Sequence, residues 1–161
     1  MIRNSLFICV IFLFLSCDSN RIFDTYVAVP NHEWTAENSI EFSVEAKDTL
    51  SKHNVFIQLR NTDDFEFSTL FIIGKIEFPN GTQVIDTLEY EMADVQGKWL
   101  GSGYTSVKEN KLFYKENIQF KQSGIYRFNL RQATRKMSDV AGEFPLKGIS
   151  DVGLRIEKIL K

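Results

Sequence analysis

Cysteine is nearly missing from this chain: Cys9 and Cys17 are the only two among 161 residues, so no disulfide framework can be drawn. Histidine is as scarce, and His32 and His53 are too few and too far apart for a spaced zinc site, which needs a set of His, Cys or carboxylate ligands. Basic charge is not in excess. The formal net charge is −2, with no basic run, which argues against a nucleic-acid partner. Apolar residues nowhere recur at helical spacing over a long capped stretch, and no internal repeat or low-complexity tract stands out. With only three prolines and abundant Phe, Ile, Val and Thr, the composition is that of a globular, strand-rich protein.

The one long apolar run lies at the start. Arg3 and Asn4 precede Leu6 to Leu15, and the small residue Ser16 stands directly before Cys17. A basic start, a short apolar core and a small residue at its end make a targeting peptide that is removed on maturation. As a helix the run reaches roughly 15 Å, about half of a ~30 Å hydrocarbon core, so it is too short to span. The cysteine makes this the layout of a bacterial lipoprotein signal, in which the thiol takes a diacylglyceryl group and the freed amine a further acyl chain. Leu15 and Ser16 suit that pattern, while Phe14 stands where a leucine is commoner. The alternative is a plain secretory signal with an incidental Cys17. On the lipoprotein reading, several acyl chains on one residue hold the protein at a membrane without a transmembrane helix. Cys9 leaves with the signal, so Cys17 keeps no thiol to pair with.

The expected organisation is a signal peptide over 1–16, a lipidated tether over 17–24 and one domain over 25–161. That length buries a core without disulfides or metals. Tyr26, Val27 and Val29 make a first strand, ended by Pro30-Asn31-His32. Ile40, Phe42, Val44 and Ala46 alternate with Glu41, Ser43 and Glu45, a half-buried strand. Val55, Ile57 and Leu59 supply the next, with Phe56 on its polar face. Leu70 to Phe78 is the strongest strand and is expected to be central. Pro79-Asn80-Gly81-Thr82 reads as a hairpin turn into Val84 to Met92. Ala93 to Thr105 is a loop, and Asn117 within Leu112 to Phe120 marks a bulge or an edge. Tyr126, Phe128 and Leu130 share a face, Thr134 to Gly148 is a long surface loop, and Val152, Leu154 and Ile156 make the last strand. About eight short strands predict an all-β fold: a single antiparallel β-sandwich, jelly-roll-like, whose strand order is not readable.

Nothing in this pattern reads as a catalytic set. Asp63-Asp64 with Glu66 lacks the alternating oxygen ligands and central glycine of a calcium loop, and a polar strand end explains it. Gly101-Ser102-Gly103 lacks the spacing and the strand-to-helix setting of a nucleophile turn. No enzyme activity, metal or cofactor is therefore expected. The aromatics Trp34, Trp99, Tyr104 and Phe65 fall in predicted loops. There they suit two roles, capping the open ends of the sandwich or meeting a glycan or a partner's pocket. Trp34, Trp99 and Tyr104 are the candidate contact residues.

Four segments, Val29 to Trp34 (VPNHEW), Asn54 to Asp64 (NVFIQLRNTDD), Gly97 to Gly103 (GKWLGSG) and Asp151 to Lys158 (DVGLRIEK), together resemble the gliding-motility lipoprotein H family, GldH, of Bacteroidota. With the signal, the resemblance covers nearly the whole chain. It carries over one residue, Cys17 as the lipidated position, and no catalytic residue. It implies a lipid-anchored protein of the cell envelope, needed for gliding and associated with type IX secretion, whose partners are other proteins of that machinery. Surface export of lipoproteins in these bacteria generally uses an acidic cluster after the cysteine. Asp18 is the only acid in Cys17 to Arg21, so the implied location is the outer membrane, facing the periplasm. A carbohydrate-binding sandwich is the alternative.

Overall fold

The structure is a computed structural model that describes residues 20–135 and 144–160. The signal peptide, Cys17 and Gly142 lie outside the described residues. The strands are β1 (Arg21–Ala28), β2 (Glu33–Trp34), β3 (Ile40–Ala46), β4 (His53–Asn61), β5 (Thr69–Glu77), β6 (Gln83–Glu91), β7 (Lys108–Ile118), β8 (Gly124–Gln132), β9 (Leu146–Lys147) and β10 (Ile149–Lys158). One sheet has the order β1-β10-β4-β7 and the other β3-β8-β5-β6, with β2 and β9 paired alone. Every pairing is antiparallel. With the short β2–β9 pair set aside, successive long strands alternate between the sheets apart from the β5–β6 hairpin, which is the two-Greek-key order of a jelly roll.

Side-chain alternation explains why these segments are strands. In β3 the burial pattern follows the sequence residue by residue, with Ile40, Phe42, Val44 and Ala46 inward and the intervening residues exposed. β5 does the same and sits inside its sheet between β8 and β6, as its apolar content predicts. The facing layer comes from Val55, Ile57 and Leu59 of β4 and Val152, Leu154 and Ile156 of β10, all fully buried. Each such side chain contributes about 1.5–3 kcal/mol on burial.

Several boundaries differ from the sequence reading. β1 begins at Arg21 rather than at Tyr26, because its first residues pair with the end of β10 through Phe23↔Ile156 and Asp24↔Arg155. Polar residues on that edge hid the strand. The long loop before β10 contains β9, whose Leu146 is fully buried against β2. Asn117 combines both of its readings. It lies in edge strand β7, near the register shift opposite β4, at φ 55, and its N–H donates to Asn54 Oδ1 at 2.9 Å. The β5–β6 turn closes through the Gly81 N–H donating to Phe78 O at 2.9 Å, and only Gly81 takes positive φ there. It is a three-residue loop rather than a two-residue Asn-Gly turn.

The registers place each connection at one of two ends. Segments 47–52, 78–82 and 119–123, together with Asn20 and residues 159–160, lie at the end where the described chain starts. Segments 29–39, 62–68, 92–107, 133–135 and 144–148 lie at the distal end.

Candidate functional site

The residues best suited to catalysis are not brought together. His53 is buried at the start of β4 with its ring 5.2 Å from that of Phe120, and neither ring nitrogen has a hydrogen-bond partner. Burial holds its pKa below the ordinary value. His32 is exposed at the distal end in a tight turn, far along the chain from His53 in both sequence and fold. Ser102 forms an isolated bridge with Glu109, each N–H donating to the other's carbonyl at 2.8 and 2.7 Å, so it is a ladder residue. Among the described residues no group of three or more His, Cys, Asp or Glu could hold a metal ion. None of the described helices is long and apolar enough to cross a membrane.

The distal end collects the aromatics that the sequence singles out and sorts them. Trp34 is 1% exposed, its indole Nε1 donating to Asn38 O at 2.8 Å, with Leu146 beside it in the β2–β9 pair. It is a core residue and shows no ring face to a ligand. Trp99 is half-buried and begins a row of rings, Trp99–Phe65 at 5.8 Å, Phe65–Phe67 at 5.8 Å and Phe67–Phe144 at 5.7 Å. That row caps the open end of the sandwich. A platform of two exposed, coplanar tryptophans is therefore not formed. Tyr104, by contrast, is fully exposed.

The loop that carries Tyr104 is held by its own bonds. The Asp94 carboxylate accepts the Gln96 and Lys98 N–H groups, both at 2.9 Å, and the Leu100 N–H donates to Met92 O at 2.9 Å. Lys108 Nζ donates to Gly103 O and Thr105 O, both at 2.9 Å. Gly103 sits at φ 142, and a Cβ there would lie 2.5 Å from Val107 O, so only glycine fits. Held this way, the loop turns Trp99 inward and Val95, Leu100 and Tyr104 outward, at 98%, 56% and 110% exposure. A shaped loop displaying apolar side chains can bind a partner.

A second organised surface escaped the sequence reading. On the outer face of the β1-β10-β4-β7 sheet, Arg60 lies over the Tyr26 ring at 4.2 Å and Lys111 over Phe56 at 4.1 Å. Arg60 pairs with Glu109, and Lys111 with Glu157, each at 2.7 Å. Phe56, assigned to a polar face, is buried there under Phe113. Burial raises the Glu157 carboxyl, but bonds from Lys111 and Arg155 outweigh it and hold its pKa below the ordinary value. The signal for this lattice is the two-residue period of β4 and β7, but the pairs form across strands 46 to 49 residues apart.

Fold and surfaces together define a jelly-roll domain that displays a shaped loop at one end and assembles no catalytic or metal cluster among its described residues. The model of the family described as GldH lipoprotein matches residues 21–156. The chain is 46% identical over 153 residues to the gliding motility lipoprotein GldH homolog of Christiangramia forsetii, covering 95% of this chain and 93% of that protein. To the gliding motility lipoprotein GldH of Flavobacterium johnsoniae it is 42% identical over 159 residues, 98% of each. This protein belongs to the GldH lipoprotein family. Among solved structures, that of the infectious bursal disease virus Gx strain covers 89% of this chain and 33% of that one at 13% identity. Its TM-score of 0.39 carries no argument.

Proposed function

We propose that this chain is a non-catalytic, lipid-anchored envelope lipoprotein that serves gliding motility and the associated type IX secretion machinery through protein contacts. Cys17 carries the lipid, and the domain faces the periplasm from the outer membrane. The family's relatives, named for gliding motility and for lipid attachment, support the setting. The observation that carries the mode of action is the distal loop, where Val95, Leu100 and Tyr104 stand outward on a tightly bonded frame, at the end of the sandwich opposite the chain start. Exposed apolar and aromatic side chains on a rigid frame suit a protein partner, because little order is lost when they are covered.

Deleting the gene is expected to abolish spreading and to impair secretion of surface proteins. Normal spreading and secretion in the deletion strain would contradict the proposal. Replacing both Leu100 and Tyr104 by Ser is expected to reproduce the deletion while the protein accumulates at its normal level.

A further inference from the structure

The end where the described chain starts is built as one block. The Lys158 N–H donates to Asn20 O and the Ile159 N–H to Lys52 O, both at 2.8 Å, and Gln119 Nε2 donates to Thr49 O at 2.6 Å. Inside the 47–52 turn the Asp48 carboxylate accepts the Leu50 and Ser51 N–H groups at 3.0 and 2.9 Å and pairs with Lys158 Nζ at 3.0 Å. With its backbone gathered around Asp48, this turn points Leu50 outward at 85% exposure, beside Leu160 at 61%. An open groove of about 430 Å³ runs between Leu50 and Lys158–Leu160. Lys47, Lys52 and Lys121 are exposed in the turns of the same end, Lys47 with its Nζ 3.2 Å from the exposed Glu45 carboxylate, a surface pair that solvent screens.

We propose that this end is a membrane-docking surface. Leu50, Ile159 and Leu160 enter the headgroup region of a phospholipid bilayer, and the three lysines meet anionic headgroups. Apolar side chains flanked by lysines are the composition that lies in a membrane interface. The occupant follows from chain length as well as from charge. Only residues 18–20 separate Cys17 from β1, and at ~3.6 Å per residue the lipidated position lies within roughly 11 Å of Asn20, itself bonded to Lys158. This inference rests on the reading of Cys17 as the lipidated residue. It adds that the bilayer orients the domain as well as holding it, with the Tyr104 loop directed away.

The test uses the mature, lipidated protein on vesicles of phosphatidylethanolamine and phosphatidylglycerol. Leu50→Cys and Tyr104→Cys variants carry an environment-sensitive fluorophore; both positions are exposed, so neither change touches the core. The expected result is blue-shifted emission at position 50, quenched by a lipid-borne quencher, and an aqueous spectrum at position 104. An aqueous spectrum at position 50 while the protein floats with the vesicles overturns the docking and leaves the anchor standing. A blue shift at position 50 that appears without vesicles and grows with protein concentration assigns the surface to a second copy and overturns it too. Mass analysis of the N-terminal peptide keeps the two readings apart, since an unacylated Cys17 overturns the anchor and the docking with it.

Discussion

The two ends of the sandwich share their strands and differ in the charge that their loops and turns carry. At the distal end, among the described residues, the loops carry Glu33, Glu37, Asp63, Asp64, Glu66 and Asp94 against Lys98, Arg135 and Lys147. The turns of the chain-start end carry Lys47, Lys52 and Lys121 against Asp48, whose carboxylate is already taken by Lys158. Both ends expose apolar side chains, Val95, Leu100 and Tyr104 at one and Leu50 and Leu160 at the other, but in opposite electrostatic settings. Strand interiors are constrained by alternation and loops are not, so a sandwich can give its ends separate tasks without altering its core.

The comparison breaks first if the distal aromatics are interchangeable. Trp34→Ala removes a fully buried ring and is expected to cost about 3–5 kcal/mol in urea unfolding. Tyr104→Ala is expected to change stability by no more than about 0.5 kcal/mol while impairing spreading. Equal stability losses would mean that Tyr104 is packed. Gly103→Ala tests the loop frame. A side chain at φ 142, 2.5 Å from Val107 O, is expected to cost about 1–3 kcal/mol and to impair spreading even where the protein is abundant.

A pH titration of stability probes the chain-start end. His53 faces Asp48, which raises its pKa, and Lys158, which lowers it, but burial dominates and the folded value lies below the ordinary 6.5. The unfolded chain therefore takes up a proton near pH 6.5 that the folded chain refuses. Stability is expected to fall as the pH drops below that value, and to stop falling once the folded pKa is passed. His53→Phe is expected to flatten this window. Asp48 is shifted downward as well, by its bonds to Ser51, Lys158 and Leu50, and its stabilisation is lost only through the more acidic carboxylate range. Unfolding midpoints between pH 7.5 and 4.5 separate the two groups, and an unchanged slope in His53→Phe would remove His53 as the cause. The smallest effect is expected from Leu50→Ala, within about 0.5 kcal/mol, because Leu50 makes no core contact to lose.

How much of this was legible in the sequence depended on the range of the interaction. β3 is readable to the residue because its alternation is local, and β5 because its apolar content exceeds what an edge strand needs. The loop frame was half legible: glycines around Trp99 announce a shaped turn, but whether Trp99 or Tyr104 faces out depends on Phe65, contributed by another loop. Trp34 looked like a loop residue because its partner strand, Leu146–Lys147, is two residues long and carries no periodicity. The Arg60–Tyr26 and Lys111–Phe56 lattice depends on strand order, which hydrophobic pattern does not encode. Assignment of the turns to two ends depends on the same topology.

The most direct test of the division between the ends is photo-crosslinking in living cells from a probe placed at position 104 or at position 50. The separation of roles predicts discrete protein adducts from position 104 and lipid adducts without a discrete protein band from position 50. A discrete protein partner captured from position 50, with none from position 104, would contradict it.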